Sequence, residues 1–495
     1  MLSSLSPHLP IIQVVLPLIA APICVIFRRT GVAWLIALVV SWLSFGISIV
    51  LLEQVISNGP ISYLLGSWPT PWGIEYRVDI LSAFVMLIVT SIGAIVMIFA
   101  PNSVHMEIPP DRTYLFYTMY LLTFTGLLGI TITGDAFNLF VFLEISSLSS
   151  YVLISLGAER NALTAALRYL ILGTVGATFY IIGVGLMYQM TGTLNITDLA
   201  ERLPEVASTK TILVAIGFIT VGIGLKLGLF PLHVWLPNAY AYAPSVVTVF
   251  LAATATKVAV YMMLRVYFSI FGTKMFSALP IDELLLILGL IAILSMSAVA
   301  IYQSNAKRLL AYSSVAQVGY MVIGISMVTT TGLTATILHL FNHAMIKCAL
   351  FLVLAAVFYR IKSVKIEDMA GLGKAMPYTM AAFIVAGFSL LGVPLTVGFI
   401  SKWYLILGAL EKGWWPVAGL IVVSSLLAVI YFWKIIEIAY FKPRPEGAAE
   451  ISEVPLNMLL PIWVMVGSNV YFGMNTDLTV SAAMSAAKSL IGGAP

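Results

Sequence analysis

The chain has 495 residues, of which 61% are hydrophobic and only 9% charged; soluble domains carry roughly a quarter charged residues, so a soluble fold is excluded. Its two cysteines, Cys24 and Cys348, lie inside apolar runs, which leaves no raw material for a disulfide framework or for an iron–sulfur cluster held by this chain. The net charge of +4 is small and its positive residues sit at the ends of apolar runs, so it reads as a membrane-topology signal and implies no nucleic-acid partner.

A helix needs about 20 residues to cross the hydrocarbon core, and about fourteen apolar runs of that kind follow one another along the chain. They fall near 9–27, 31–52, 78–100, 113–133, 135–157, 161–190, 211–240, 244–270, 281–303, 307–328, 331–359, 375–411, 414–441 and 453–473. The first lacks a basic start and stops at Arg28-Arg29, which suits a retained first span better than a cleaved signal peptide. With the N-terminus outside, the inward loops hold Arg28, Arg29, Arg112, Arg160, Lys307, Arg308, Arg360, Lys362, Lys365, Lys374, Lys442 and Arg444. That is about twice the Lys and Arg of the outward loops, so both termini are expected outside an inner (plasma) membrane.

The seventh and twelfth runs are too long and are interrupted, by "GLFPLHVWLP" around Pro231 and by "LLGVPLTVGF" around Pro394. Proline frees backbone carbonyls, which a membrane tolerates only where protein or water takes them up, so both breaks are expected to face the interior. They lie five spans apart, an odd offset that inverts one repeat relative to the other. The expected fold is an all-α polytopic membrane protein with one domain, 1–495. Within it, inverted five-helix repeats at 113–270 and 281–441 each contain one broken helix.

Taken in order, the ionisable residues separate by depth. Arg168 and Arg265 lie within two turns of a span end and are expected to snorkel to the interface. The Lys434/Glu437 pair sits near the inner end of the thirteenth run. Glu144, Lys226, Lys257 and Lys347 fall near mid-span, and Lys402 follows the Pro394 break by about two turns. Each costs roughly 2.5–3.5 kcal/mol at a helix centre unless it is paired or wetted. A buried ion pair between Glu144 and one lysine would account for two residues at most, since no other carboxylate lies near midplane. Surplus buried amines call for water, and a lysine whose partner moves away becomes a proton donor.

His339, His343 and Lys347 stand at i, i+4 and i+8, one stripe spanning about 12 Å of helix. Neutral imidazole both accepts and donates protons near physiological pH, so two histidines leading to a lysine read as a relay. Zinc binding is the rival reading, but Lys347 stands where a carboxylate would be wanted. A sodium cage would need several oxygen ligands, and the single deep carboxylate Glu144 with the following "EISSLSSY" is a poor supply.

The segments "GDAFNLFVFLEISSLSSYVLISLG" (134–157), "GTLNITDLA" (192–200), "KLGLFPLHVWLPNAY" (226–240), "ATKVAVYMMLR" (255–265), "KRLLAYSSVAQVGYMVIGI" (307–325), "LHLFNHAMIKCALF" (338–351) and "SLLGVPLTVGFISKW" (389–403) carry a resemblance. From about residue 60 to 440 the chain resembles the antiporter-like membrane subunits shared by respiratory complex I, membrane-bound hydrogenases and Mrp-type cation/proton antiporters. "GSWPTPWGIEYRVD" (66–79) and "GTLNITDLA" look most like the D branch of the Mrp type. The resemblance implies fourteen helices, with protons moving along a hydrated axis. It implies that Glu144 is the fifth-helix glutamate paired with the seventh-helix Lys226, and that Lys257 is the connecting lysine of the eighth helix. His339, His343 and Lys347 match the central positions and Lys402 the distal lysine. One departure is "GVPLTVGF", where relatives usually carry a second proline. The implied function is the proton-translocating subunit of a multisubunit Na⁺/H⁺ antiporter, without cofactor or metal. Its implied partners are other membrane subunits, the bilayer, protons and Na⁺. The alternative is a pumping subunit of a redox complex, for which lysine rather than glutamate at 402 argues against the glutamate-bearing complex I paralogue.

Overall fold

The computed structural model describes residues 6–446 and 450–492. Thirteen of its helices are long and apolar enough to cross a membrane. The chain begins with α1 (Leu9–Phe27) and α2 (Thr30–Asn58), joined at Arg28 and Arg29. A small antiparallel hairpin follows, β1 (Ile61–Leu64) paired with β2 (Glu75–Val78), and is the one departure from the all-helical expectation among the described residues. Then come α3 (Ile80–Glu107), α4 (Thr113–Ile132), α5 (Ala136–Ser155) and α6 (Arg160–Thr191). The short α7 (Ile196–Val206) lies across the surface on Ile196, Leu199 and Leu203, and leads to α8 (Lys210–Leu227) and α9 (Leu236–Tyr242).

The remaining helices are α10 (Ser245–Leu264), α11 (Gly272–Ala278), α12 (Ile281–Ile301), α13 (Ala306–Ser326), α14 (Thr330–Ile361), α15 (Pro377–Leu391), α16 (Val397–Glu411), α17 (Trp415–Ile436), α18 (Leu456–Met474) and α19 (Asp477–Gly492). Three of them, α10, α13 and α14, are almost wholly enclosed by the others. α10 packs against α3, α8 and α14, and α14 against α13, α15, α16, α18 and α19. Helices hydrophobic on every side belong at such a centre, so their polar side chains are interior groups by position.

The two expected breaks are present. α8 stops at Gly228, in the left-handed region at φ 71°, and the chain re-forms a helix at Leu236. α15 stops at Gly392, φ 86°, and resumes at Val397. Glycine takes this conformation without Cβ strain, which ends each half-helix with its last carbonyls free. Protein groups take some of them up: Trp235 Nε1 donates to Leu225 O at 2.8 Å, and Lys402 Nζ donates to Leu390 O and Leu391 O at 3.1 and 2.9 Å. The apices do not face the interior as expected. Pro231 and Val234 in the first, and Val393, Pro394 and Leu395 in the second, lie exposed on the surface of this chain. Their backbones satisfy themselves through the glycine caps, so only the half-helix ends need an inward position.

Several local features occur twice. Asp135 caps α5 through the Asn138 amide and forms an isolated bridge with Asn195, while Asn305 caps α13 through the Arg308 amide and bridges to Lys365. The paired amides match as well: Ala136 to Leu194 O and Ile196 to Gly134 O, then Ala306 to Val364 O and Ile366 to Ser304 O. α10 and α17 each end in a π-helical turn, Arg265–Ile270 and Glu437–Phe441.

Candidate functional site

On α5, Ser147 and Tyr151 stand one turn apart and face α8. There Lys226, 7% exposed, donates to Ser147 Oγ and, at 3.1 Å, to the Tyr151 hydroxyl. Its ammonium also lies 5.5 and 5.9 Å from the ring centres of Tyr151 and Tyr169. The expected Glu144–Lys226 contact is not formed: among the described residues no ion pair involves Glu144, and Glu144 Oε1 is buried without a partner. Helix rotation is the reason. Glu144 lies on the flank that carries the exposed Val141 and Leu148, while Ser147, three residues on, turns toward α8.

Between Lys226, Ser147 and Ser150 on one side and Ala255, Val258 and Ala259 of α10 on the other lies a cavity of about 30 Å³. That is room for a water molecule, with hydroxyls and an ammonium to hold it. α10 also carries Lys257, fully buried, whose ammonium donates to Ala252 O at 2.5 Å and to Thr256 Oγ1 at 3.3 Å. α10 packs directly on α14, the helix that carries His339, His343 and Lys347.

His339, His343 and Lys347 lie along one buried face of α14, as the spacing predicts. The two rings are nearly parallel, 6.0 Å between centres. His339 bridges two helices: Nε2 donates to Gln317 Oε1 of α13 and Nδ1 accepts from Ser401 Oγ of α16, each at 2.9 Å. This arrangement suits the neutral imidazole. His343 is fully buried and neither ring nitrogen has a protein partner. Lys347 donates to Leu310 O at 2.8 Å and Ser313 Oγ at 2.5 Å, both on α13. Lys402, besides holding the end of α15, sits 5.4 Å over the ring of Tyr320, which also lies 5.6 Å from the His339 ring, centre to centre.

All seven expected residues are therefore interior or partly so, and six of them are buried on α8, α10, α14 and α16. Sequence reasoning did not single out the polar groups that hold them: Ser147 and Tyr151 at Lys226, Ser313 at Lys347, and Gln317 and Ser401 at His339. A glutamine within the otherwise apolar "AQVGYMVIG" and a serine directly before Lys402 were the available signals. It also placed Lys307 in a loop, whereas this residue is buried in the first turn of α13 and donates to Ala243 O at 3.3 Å.

Two expectations for the flanking charges are corrected. Arg265 does not snorkel. It pairs with Asp79, the N-cap of α3, and donates to the Tyr261 hydroxyl at 2.9 Å, because the α3 start brings a carboxylate to its depth. Lys434 is not paired with Glu437 among the described residues; it donates to Ile301 O and Gln303 O at the end of α12. Arg168 lies exposed, in keeping with a snorkelling residue.

Comparison with known proteins bears on the family and the fold. The chain is 40% identical to the N subunit of NADH-quinone oxidoreductase from Desulforudis audaxviator, over 96% of this chain and 98% of that one. It is 30% identical to the D subunit of the Na(+)/H(+) antiporter from Alkalihalophilus pseudofirmus, over 90% and 89%. A chain in the structure of the Mrp complex from Dietzia sp. superposes with a TM-score of 0.90 at 24% identity, covering 98% of both chains, and so shares the fold. Residues 133–428, which hold all seven candidate residues, match the family described as NADH:quinone oxidoreductase/Mrp antiporter, TM, and the chain belongs to that family.

Proposed function

We propose that this chain is the proton-translocating subunit of a multisubunit monovalent cation (Na⁺)/proton antiporter in the plasma membrane. Protons pass between Glu144, Lys226, Lys257, His339, His343, Lys347 and Lys402. The observation that carries this reading is the buried series itself: four lysines and two histidines enclosed at span depth, with no carboxylate paired to any of them among the described residues. Such groups persist in a membrane where they line a hydrated path. A fully buried His343 without a protein partner and a water-sized cavity beside Lys226 supply the places for water. The repeated caps, bridges, glycine stops and π-turns support reading 113–270 and 281–441 as two inverted units, each with its broken helix. Both termini face outward on the Lys/Arg distribution.

Cation/proton exchange in membrane vesicles tests the path. Lys226→Ala and Glu144→Ala are each expected to abolish exchange while the complex remains assembled, and normal exchange in either variant would overturn the reading.

A second reading is favoured by the 40% identity to the N subunit of a quinone oxidoreductase: the same path serves a redox complex, driven by electron transfer in partner subunits. The two differ in partners alone. Iron–sulfur absorbance in the purified native complex decides for the second, and Na⁺-dependent exchange in a complex lacking that absorbance decides for the first.

A further inference from the structure

Away from the path, the C-terminal ends of α3 and α14 form an open pocket of about 350 Å³, lined by Asn102, His105, Met106, Tyr359, Arg360 and Lys362. The Tyr359 ring organises its cations: the Arg360 guanidinium lies 5.4 Å and the Lys362 ammonium 5.7 Å from the ring centre. Among the described residues neither makes an ion pair, and Arg360 Nε is buried without a partner. Arg360 does reach the backbone carbonyl of Glu453, but the carboxylate of that residue is committed elsewhere. It accepts from the Tyr378 and Thr379 amides at 2.7 and 3.1 Å and from the Thr379 hydroxyl at 2.6 Å, capping α15. Asn102, tied to Asn457 at 2.9 Å, and His105 add polar groups to the lining. All of this sits at helix ends, where a span emerges from hydrocarbon into the headgroup layer, on the face the Lys/Arg distribution assigns to the cytoplasm.

We propose that this cavity is a binding site for a phosphate group, with Arg360 and Lys362 meeting its charge and His105 and Asn102 completing the pocket. A guanidinium beside an ammonium suits a phosphate, whose several oxygens can accept from both. Two sources offer this chemistry at the membrane surface, the headgroup of an anionic phospholipid and a soluble phosphate compound. The depth of the site favours the lipid. The site is independent of which ion the central path carries.

The test uses the whole complex, reconstituted in nanodiscs of phosphatidylglycerol and phosphatidylcholine, with retained lipid measured by mass spectrometry after washing in detergent. Wild type is expected to retain phosphatidylglycerol in excess over its share of the disc. Lys362→Gln, at an exposed position, is expected to weaken retention about fivefold, and Lys362→Gln with Arg360→Gln by roughly the square of that. In a second arm, inorganic phosphate is titrated into the delipidated complex. Phosphate binding that is lost in the same variants, without enrichment of phosphatidylglycerol, assigns the site to a soluble ligand. If the double variant fails to assemble, Lys362→Gln with His105→Gln, both at exposed positions, gives the same reading. Equal lipid retention in wild type and variants together with no phosphate binding overturns the proposal, as does a neighbouring protein found cross-linked through Lys362 in place of lipid.

Discussion

An arginine inside a membrane protein is costly unless its charge is met, and Arg265 is met by Asp79 and Tyr261. Burial pushes the Asp79 carboxyl up, but the Arg265 charge and hydrogen bond, with the Ser82 amide and hydroxyl, outweigh it and hold the group below the ordinary carboxylate range. Removing one partner strands the other, so Arg265→Ala is expected to cost on the order of 3 kcal/mol, read as a lowered thermal midpoint of the purified complex. Because the folded carboxyl is the stronger acid, its contribution is complete above the unfolded value, about pH 4, and is lost as pH falls through the folded one. Asp79→Asn is therefore expected to flatten the acid limb of stability, which a pH series of melting curves checks. Sequence alone held no hint of this pair, since its members lie far apart in the chain and meet only through the packing of α10 on α3. The His339, His343 and Lys347 stripe was legible, because its partners share one helix and its spacing fixes their face.

At the scale of elements, the breaks were legible through Pro231 and Pro394, which cannot donate to a helix ladder. What a proline cannot tell is which side of the loop faces inward, and both apices lie on the surface. The halves of the second break cross closely: a Cβ added at Gly398 would stand 1.7 Å from Ser389 O, a backbone atom with nowhere to go. Gly398→Ala is thus expected to push α16 off α15 and carry Lys402 away from the Leu390 and Leu391 carbonyls. Exchange should fall at least tenfold, with a lowered melting temperature, while Gly467→Ala, which meets nothing within 4 Å, should leave both unchanged. Parallel exchange assays and melts of the two variants decide it. α19 was missed altogether. It is 16 residues long, too short for a span, and packs on α3 and α14 through a stripe of alanines that hydropathy does not single out.

For the whole molecule, the enclosed trio α10, α13 and α14 stands where the two proposed repeats meet. α10, which carries Lys257, packs on α14, which carries His339, His343 and Lys347, and on the proposed path a proton that crosses from Lys226 to Lys402 passes this junction. The sequence showed which span each charge occupies, but the serine, glutamine and tyrosine groups that tie Lys226, His339 and Lys347 to neighbouring helices appear only once the helices are packed. Proton uptake by proteoliposomes that contain the assembled complex, followed with an internal pH dye, measures passage through that junction. With Lys257→Ala, a change at a fully buried position, the account predicts uptake reduced to the level of empty liposomes. Uptake at the wild-type rate in that variant would contradict it.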